Sequence, residues 1–202
     1  PQQDLSHQQK VEMNHFFKLW MSIFKKPFLN KNNRNTTCLE VLASSLENAY
    51  FIVVKRDPVF IAQSLLCARE EIQGSRTIGW GLGSNHTSRD RICKTGLHQV
   101  AEQVAWIYTN LEQQTQNIPA HRLIHVNYET FCQEPITVIS EIYNCIWSTI
   151  PGPPIQPKPL KAFKASQHIR ISHDEFSQLQ TLVQEYLTNI SHIEDGSHKP
   201  IS

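Results

Sequence analysis

The chain has 202 residues, of which 40% are hydrophobic, 18% are charged and 9% are aromatic, a composition typical of a globular protein with one core. Nineteen Lys and Arg residues against eighteen Asp and Glu residues leave a net charge of +1, so nothing points to nucleic acid or to an anionic membrane surface as a partner. Seven glycines and eleven prolines exclude collagen-like and low-complexity chains, and no apolar run approaches the roughly 20 residues of a membrane span.

The first fifth of the chain predicts two helices. Apolar residues recur at helical spacing from Leu5 to Phe24, and the basic pair and proline that follow predict the end of that helix. We interpret Phe28 and Leu29 as a very short strand that enters a polar turn. A second helix is predicted over residues 39–46, with Asn35 or Thr36 as its N-cap.

The clearest predicted element is a strand that turns abruptly into a helix. Residues 50–54, Tyr-Phe-Ile-Val-Val, form an apolar and β-branched run typical of a strand that is buried on both faces of a parallel sheet. Asp57 suits a helix N-cap and Pro58 suits the first helical position. The apolar positions 61, 62, 65 and 66 then predict the buried face of the helix.

The rest of the chain continues this alternation. In chain order we expect a glycine-rich loop (74–96), a helix (97–111), a strand (122–126), a helix (136–146), a proline-rich stretch (151–159) and a closing helix that begins with a capping box at Ser172 and Glu175. Alternating strands and helices predict an α/β fold in three layers, a parallel sheet flanked by helices. We expect one incomplete domain over residues 1–190 and a flexible tail over residues 191–202.

The end of the first predicted β-strand is the best candidate for a ligand site, because ligands of open α/β sheets bind beyond the carboxyl ends of the strands. Arg56 lies where this strand stops and a helix starts, so its guanidinium can meet an anion that the helix N-terminus also attracts. Ser64 shares a helix face with Asp57 and can add a hydrogen bond. The alternative is a surface ion pair between Arg56 and Asp57, with Ser64 an ordinary polar helix residue.

Four segments, in the same order, resemble those of sulfotransferases that use 3′-phosphoadenosine-5′-phosphosulfate. They are residues 51–66, similar to the strand, Arg-Asp-Pro and spaced Ser that bind the 3′-phosphate; residues 31–35, similar to a Lys-Asn-Pro-x-Asn turn; residues 126–135, similar to a Tyr-Glu-Asp-Leu-x-x-x-Pro element; and residues 163–175, similar to a late phosphate-covering loop. The resemblance spans roughly residues 10–190 and implies the topology that this family shares with P-loop nucleotide-binding proteins.

The resemblance also implies a reaction and a set of roles. The sulfuryl group would move from 3′-phosphoadenosine-5′-phosphosulfate to a hydroxyl or amine of a small-molecule or glycan acceptor, leaving adenosine 3′,5′-bisphosphate. Arg56 and Ser64 would bind the 3′-phosphate, and Lys31 would be the catalytic lysine that offsets charge on the leaving phosphate. Tyr128 would lie near the nucleotide and Lys164 would close over the phosphate; the alternatives are a core tyrosine and a solvated loop lysine.

Two departures from the family pattern bear on activity. No Gly-x-x-Lys/Arg-Ser/Thr loop for the 5′-phosphosulfate opens the chain, so it either lies upstream in a longer polypeptide or is missing from a degenerate member. Positioning of the transferred group carries much of the barrier, so we expect weak nucleotide binding and very low turnover. Asn33 stands where some members have a catalytic histidine, which leaves the base unassigned. The rival hypothesis is a non-catalytic module of the same fold that binds a nucleotide, or a partner through loop 74–96.

Cysteines and histidines give no sign of a metal site. The five cysteines are widely spaced without a Cys-x-x-Cys pair, which favours reduced thiols, and we expect a cytoplasmic location. His121 and His125 bracket a predicted strand, where their spacing separates them by ~13 Å. The remaining histidine pairs lack a third ligand at close range.

Overall fold

The computed structural model describes residues 5–83, 94–147 and 159–195. In chain order these form α1 (His7–Phe24), a 3₁₀ helix (Asn33–Thr37), α2 (Leu39–Ser45), β1 (Phe51–Lys55), α3 (Pro58–Gln73), α4 (Gly96–Thr115), a 3₁₀ helix (Ala120–Arg122), β2 (Leu123–Asn127), α5 (Tyr128–Gln133), α6 (Pro135–Ile146) and α7 (His173–Asp195). The predicted proline-rich stretch, apart from Pro159, and loop positions 84–93 lie outside the described residues. α7 continues to Asp195, into the segment predicted to be a tail, and residues 196–202 are not described.

The two predicted strands pair with each other in parallel, as expected of an α/β fold. Phe51 lies opposite Leu123, and the pairing continues in register to Lys55 opposite Asn127. Within the described residues the sheet has these two strands alone, and the other regular elements are helices. The three-layer arrangement therefore stays a prediction, while the coarser α/β description holds.

The prediction that the first strand is buried on both faces is wrong for the described residues. Val53 is buried, but its neighbours Ile52 and Val54 are 39% and 58% exposed. Successive side chains of a strand point to opposite faces, so one face of β1 is uncovered in this part of the chain. The β-branched run predicted the strand correctly, but it does not say which faces are covered.

The main core lies between α3, α4 and α7. Ala62 and Leu66 of α3, Val100 and Val104 of α4, and Leu179 of α7 are fully buried in one cluster. The predicted buried face of α3 is confirmed, because positions 61 and 65 also pack against this cluster. The helix that begins directly after β1 is thereby held rigidly against the rest of the domain.

The predictions for the N-terminal segment need correction. α1 forms, with a capping box between Ser6 and Gln9, but its apolar residues are largely exposed and its rings contact one another and Phe28 rather than a core. Residues 28 and 29 form no strand. The N-cap of α2 is Cys38, because the polar segment before it closes into the 3₁₀ helix Asn33–Thr37, which contains both predicted caps.

Arg122 anchors the chain at the start of β2. Its guanidinium donates to three carbonyls: that of Ala43 in the last turn of α2, that of the C-cap residue Leu46, and that of Ala49 in the segment before β1. Helix C-termini leave carbonyl oxygens without intrahelical partners, and a cation supplies the donors. The segment that leads into β1 is therefore tied to the segment that leads into β2.

An ion-pair network joins the end of α3 to the start of α7 and predicts a pH effect. Arg76 donates to Glu70 at 2.8 Å and to Glu175 at 2.6 Å. The hydrogen bond from the backbone N–H of Ser172, with Arg76 adding to it, lowers the pKa of Glu175. A lowered pKa in the folded state stabilises the protein above the unfolded-state value near 4.5, and this contribution is lost as the pH falls through the folded-state pKa.

We expect Glu175→Gln to lower the free energy of unfolding at pH 7 and to change it progressively less as the pH falls from about 4.5 toward 3. The carboxylate side chain is 35% exposed, so the effect at pH 7 should stay below about 1 kcal/mol. Urea denaturation of the parent and the variant at pH 7 and at about pH 3 measures the difference in the free energy of unfolding. Glu71→Gln, at an exposed position of α3, is the matched control, and an equal loss at both pH values would contradict the prediction.

Candidate functional site

The turn between β1 and α3 holds Arg56 at the end of the strand. The carboxylate of Asp57 accepts the backbone N–H of Val59 at 2.8 Å and so caps α3, whose first residue is Pro58. Both predicted helix-start positions are confirmed. The alternative interpretation, a surface ion pair of Arg56 with Asp57, does not hold, because none of the ion pairs between described residues joins these two side chains.

The side chain of Arg56 is half-buried between aromatic rings. Its guanidinium carbon lies 5.0 Å from the ring centre of Tyr128 and 6.0 Å from that of Phe60. One terminal nitrogen, Nη2, donates to the backbone carbonyl of Ser166. The Nε atom is buried and has no hydrogen-bond partner among the described residues. A buried donor on a cation costs free energy until an acceptor, best an anion, satisfies it.

Ser64 and its neighbour Gln63 hold a segment from the far end of the chain. The Ser64 hydroxyl accepts a hydrogen bond from Nη2 of Arg170 at 2.9 Å. The buried side chain of Gln63 donates to the carbonyl of His168 at 3.0 Å and accepts from the backbone N–H of Arg170 at 2.9 Å. The first two turns of α3 therefore fix residues 168–170.

Residues 163–170, which we call the strap, run past the Arg56 side chain and contact it at Ser166. At one end the backbone N–H of Phe163 donates to the carbonyl of Cys132 in α5 at 2.9 Å, and at the other end Gln63 holds the strap against α3. Between these anchors Ser166 contacts Arg56. Arg56 and Ser64, the two residues on which the sequence-based hypothesis rests, thus both contact this one segment.

Tyr128 lies directly beside Arg56. It is the first residue of α5, and the side chain of Asn127 caps this helix by accepting the backbone N–H of Thr130 at 2.8 Å. The turn after β2 thereby places the Tyr128 ring against the guanidinium at the end of β1. The parallel pairing of the two strands brings both turns to the same edge of the sheet.

The two predicted lysines are not part of this contact network. Lys31 is exposed just before the first 3₁₀ helix, and among the described residues no hydrogen bond or ion pair joins it to Arg56, Ser64 or the strap. Lys164 belongs to the strap, but its side chain is exposed. The structure therefore places Tyr128 beside Arg56 and brings Arg56 and Ser64 to the same strap, at residues 166 and 170, and it gives neither lysine a contact with Arg56 or Ser64 among the described residues.

Arg170 is the site residue that the sequence analysis missed. It lies two residues before the capping-box serine of α7, inside the segment 163–175 that resembles the late phosphate-covering loop. A basic residue in this segment is a signal for a phosphate ligand, but the family resemblance assigned that role to Lys164 and not to Arg170. Nothing local to Arg170 indicates that it reaches Ser64, which is 106 positions away in the chain.

Two cavities, each of about 390 Å³, lie away from this group. One is bounded by α1 and residues 44–45 and the other by β2 and α6, and neither is lined by Arg56, Ser64 or the strap. Within the ranges that the structure describes, no three His, Cys, Asp or Glu side chains are arranged to hold a metal ion, and no helix is both long and apolar enough to cross a bilayer. The described cysteines are free thiols; Cys93 lies outside these ranges.

The comparisons with known proteins give one match. A sequence model described as the sulfotransferase family matches residues 3–147, well over half of the chain. The matched region contains β1, the start of α3 and Tyr128, and it ends before the strap. No curated protein and no solved structure gives a significant match.

Proposed function

The chain belongs to the sulfotransferase family, and from this premise we propose that the β1–α3 turn binds the 3′-phosphate of the sulfuryl donor 3′-phosphoadenosine-5′-phosphosulfate. The observation that carries the proposal is the convergence of Arg56 and Ser64 on one short segment, together with a buried and unpartnered Nε on Arg56. The first residue of α3 follows Arg56 by two positions, so the helix N-terminus adds its positive end to the same place.

The donor set suits a phosphate. Guanidinium N–H groups and a serine hydroxyl are hydrogen-bond donors, and Arg170 brings a second guanidinium to Ser64. A phosphate dianion presents three acceptor oxygens, which two guanidinium groups and a hydroxyl can satisfy at once. When bound, the nucleotide supplies the sulfuryl group, and these residues hold and orient it.

Nucleotide binding competes with one contact of the strap. The carbonyl of Ser166 takes one N–H of Arg56 Nη2, so a phosphate that uses this N–H displaces the carbonyl. The phosphate carries a negative charge that the carbonyl lacks, and Arg–phosphate pairs are frequently bidentate, so the exchange favours the phosphate. The Gln63 anchor is made through strap backbone atoms of residues 168 and 170, so it can persist while Ser166 moves.

The remaining roles follow from the family pattern. Tyr128 would support Arg56 and lie near the nucleotide, and Lys164 would turn inward over the phosphate once the strap adjusts. Lys31 would offset charge on the leaving phosphate, which requires it to approach the site from its exposed position. The acceptor would be a small molecule or a glycan that offers a hydroxyl or an amine.

A second candidate function is a nucleotide-binding module without catalysis. It is favoured by the exposed position of Lys31, which makes no contact with Arg56, Ser64 or the strap among the described residues. Transfer of labelled sulfate from the donor to simple phenols, amines and glycans separates the two functions. Turnover supports the enzyme, whereas nucleotide binding without turnover supports the module.

The proposed site predicts selectivity for the 3′-phosphate. Calorimetric titration should give at least ~10-fold tighter binding for adenosine 3′,5′-bisphosphate than for adenosine 5′-monophosphate, because a charge-assisted hydrogen bond contributes about 1.5–3 kcal/mol. The two ligands share the adenosine and the 5′-phosphate, so their difference isolates the 3′-phosphate. Equal affinities, or no binding of the bisphosphate, would overturn the proposal.

A further inference from the structure

One peptide group in the candidate site is held from both sides by side chains of other elements. The hydroxyl of Tyr108, in α4, donates to the carbonyl oxygen of Arg56. A carboxylate oxygen of Glu129, in α5, accepts the N–H of Asp57 at 3.3 Å. The carbonyl and the N–H belong to the same planar peptide unit, so the two contacts fix its orientation.

This peptide lies where the regular hydrogen bonding of the strand has ended. The last paired residues of the sheet are Lys55 and Asn127, so the Arg56 carbonyl is beyond the ladder. Asp57 caps α3 through its own side chain, and Pro58 has no N–H to offer. Without Tyr108 and Glu129 the peptide would have no side chain or strand to hold its direction among the described contacts.

The chemistry of the two groups suits holding the peptide rather than binding a ligand. Burial raises the pKa of Tyr108, and the carboxylates of Asp57 and Glu129 raise it further. The net shift is upward, so the hydroxyl remains protonated and donates at neutral pH. Glu129 is an acceptor, and a phosphate offers it no donor.

We propose that Tyr108 and Glu129 are positioning residues for Arg56, which fix the peptide from which its side chain projects and so direct its guanidinium to the 3′-phosphate. The inference rests on the proposed function of the site. It assigns a role to α4, which the family resemblance left without one. The Arg56 side chain is then determined at both ends, by its clamped peptide and by the Tyr128 and Phe60 rings around the guanidinium.

Removal of the tyrosine hydroxyl tests the proposal. Tyr108→Phe should weaken binding of adenosine 3′,5′-bisphosphate by ~3- to ~10-fold, the effect of one ordinary hydrogen bond, and should change binding of adenosine 5′-monophosphate by less than ~2-fold. Calorimetry with both ligands gives the ratio. Tyr186→Phe is the matched control, because its ring lies against Lys94, with Nζ 5.2 Å from the ring centre, and not beside the Arg56 peptide.

Two variants of Glu129 provide a second test if Tyr108→Phe is poorly folded. Glu129→Gln keeps an acceptor for the Asp57 N–H and should retain the preference for the bisphosphate, whereas Glu129→Leu removes the acceptor and should reduce that preference ~3- to ~10-fold. Rescue by the amide separates positioning from a need for negative charge. A preference unchanged in Glu129→Leu, or lost equally in both variants, would contradict a positioning role.

The outcomes distinguish the inference from the function beneath it. If the unmodified protein does not prefer the bisphosphate, the proposed function and the inference both fail. If it does, and both Tyr108→Phe and Glu129→Leu keep the full preference, the positioning role alone is wrong. Loss of affinity for the two nucleotides in equal measure would indicate a general structural defect and would also overturn the role.

Discussion

Replacement of Arg56 by alanine is expected to weaken the binding of adenosine 3′,5′-bisphosphate by ~30- to ~900-fold, about 2–4 kcal/mol. Arg56 brings two donor atoms to the site. Its Nε is buried and has no hydrogen-bond partner among the described residues, and its Nη2 donates to the carbonyl of Ser166. The alanine variant loses both the positive charge and the two guanidinium donor atoms, Nε and Nη2. Calorimetric titration of parent and variant measures the difference, and equal affinities would refute the assignment.

Two further variants sharpen this test. Arg56→Lys keeps the charge but not the planar donor fork, so its affinity should fall between those of the parent and the alanine variant. Arg76→Ala removes an arginine beyond the opposite end of α3, where it pairs with Glu70 and Glu175, and should leave affinity within ~2-fold. A loss in Arg76→Ala as large as in Arg56→Ala would mean that the effect is general.

Replacement of Leu66 by alanine is expected to lower the free energy of unfolding by about 2–5 kcal/mol. Leu66 is 0% exposed in the cluster between α3, α4 and α7. Its truncation removes apolar contacts and leaves a cavity that rigid helices cannot fill completely. Urea denaturation followed by circular dichroism measures the loss. Ser64 and Gln63 lie within one turn of Leu66, so nucleotide binding should weaken as the helix loosens.

Ile72 supplies the matched control on the same helix. Its side chain is 56% exposed, so Ile72→Ala should cost well under about 1 kcal/mol. A loss below about 1 kcal/mol in Leu66→Ala, or equal losses in the two variants, would show that the helix is not held by this cluster.

The turn that carries Arg56 could be predicted because its rules are local. A β-branched run, an aspartate that accepts a nearby N–H and a proline at the first helical position act within eight residues of one another. The cap and the helix start formed where the pattern placed them, and the strand, predicted over residues 50–54, is displaced by one position to Phe51–Lys55. The position of Arg56 at a strand end followed directly, since it is the residue between the strand and the cap.

The contacts made by Arg56 and Ser64 could not be predicted in this way. Their partners Ser166 and Arg170 are 110 and 106 positions further along the chain. Only tertiary packing brings such residues together, and the hydrophobic periodicity of the sequence does not indicate which distant residues will be in contact. The uncovered face of β1 has the same cause, because an apolar strand looks alike whether or not a helix lies over it.

At the N-terminal end, competing local interactions decided the outcome. Asn35 and Thr36 both suit an N-cap, but the side chain of Asn32 caps an earlier 3₁₀ helix that takes them in, and α2 starts only after Cys38. Lys31 therefore stays in an exposed segment. The sequence correctly indicates that this polar run contains helix-capping residues. Which of them acts as the cap depends on small energy differences that the residue types do not reveal.

The contact between Ser166 and Arg56 gives the strap a kinetic consequence. The obstructing group is a main-chain carbonyl, so changing the serine side chain does not abolish the obstruction. At the proposed site, a phosphate that uses this N–H of Arg56 would compete with the carbonyl, and the apparent affinity would be scaled by the fraction of molecules in which the strap has moved away. The observed rate of nucleotide association would then reach a maximum at high nucleotide concentration, equal to the rate at which the strap opens. The hydrogen bonds of Gln63 to the strap would affect that opening rate.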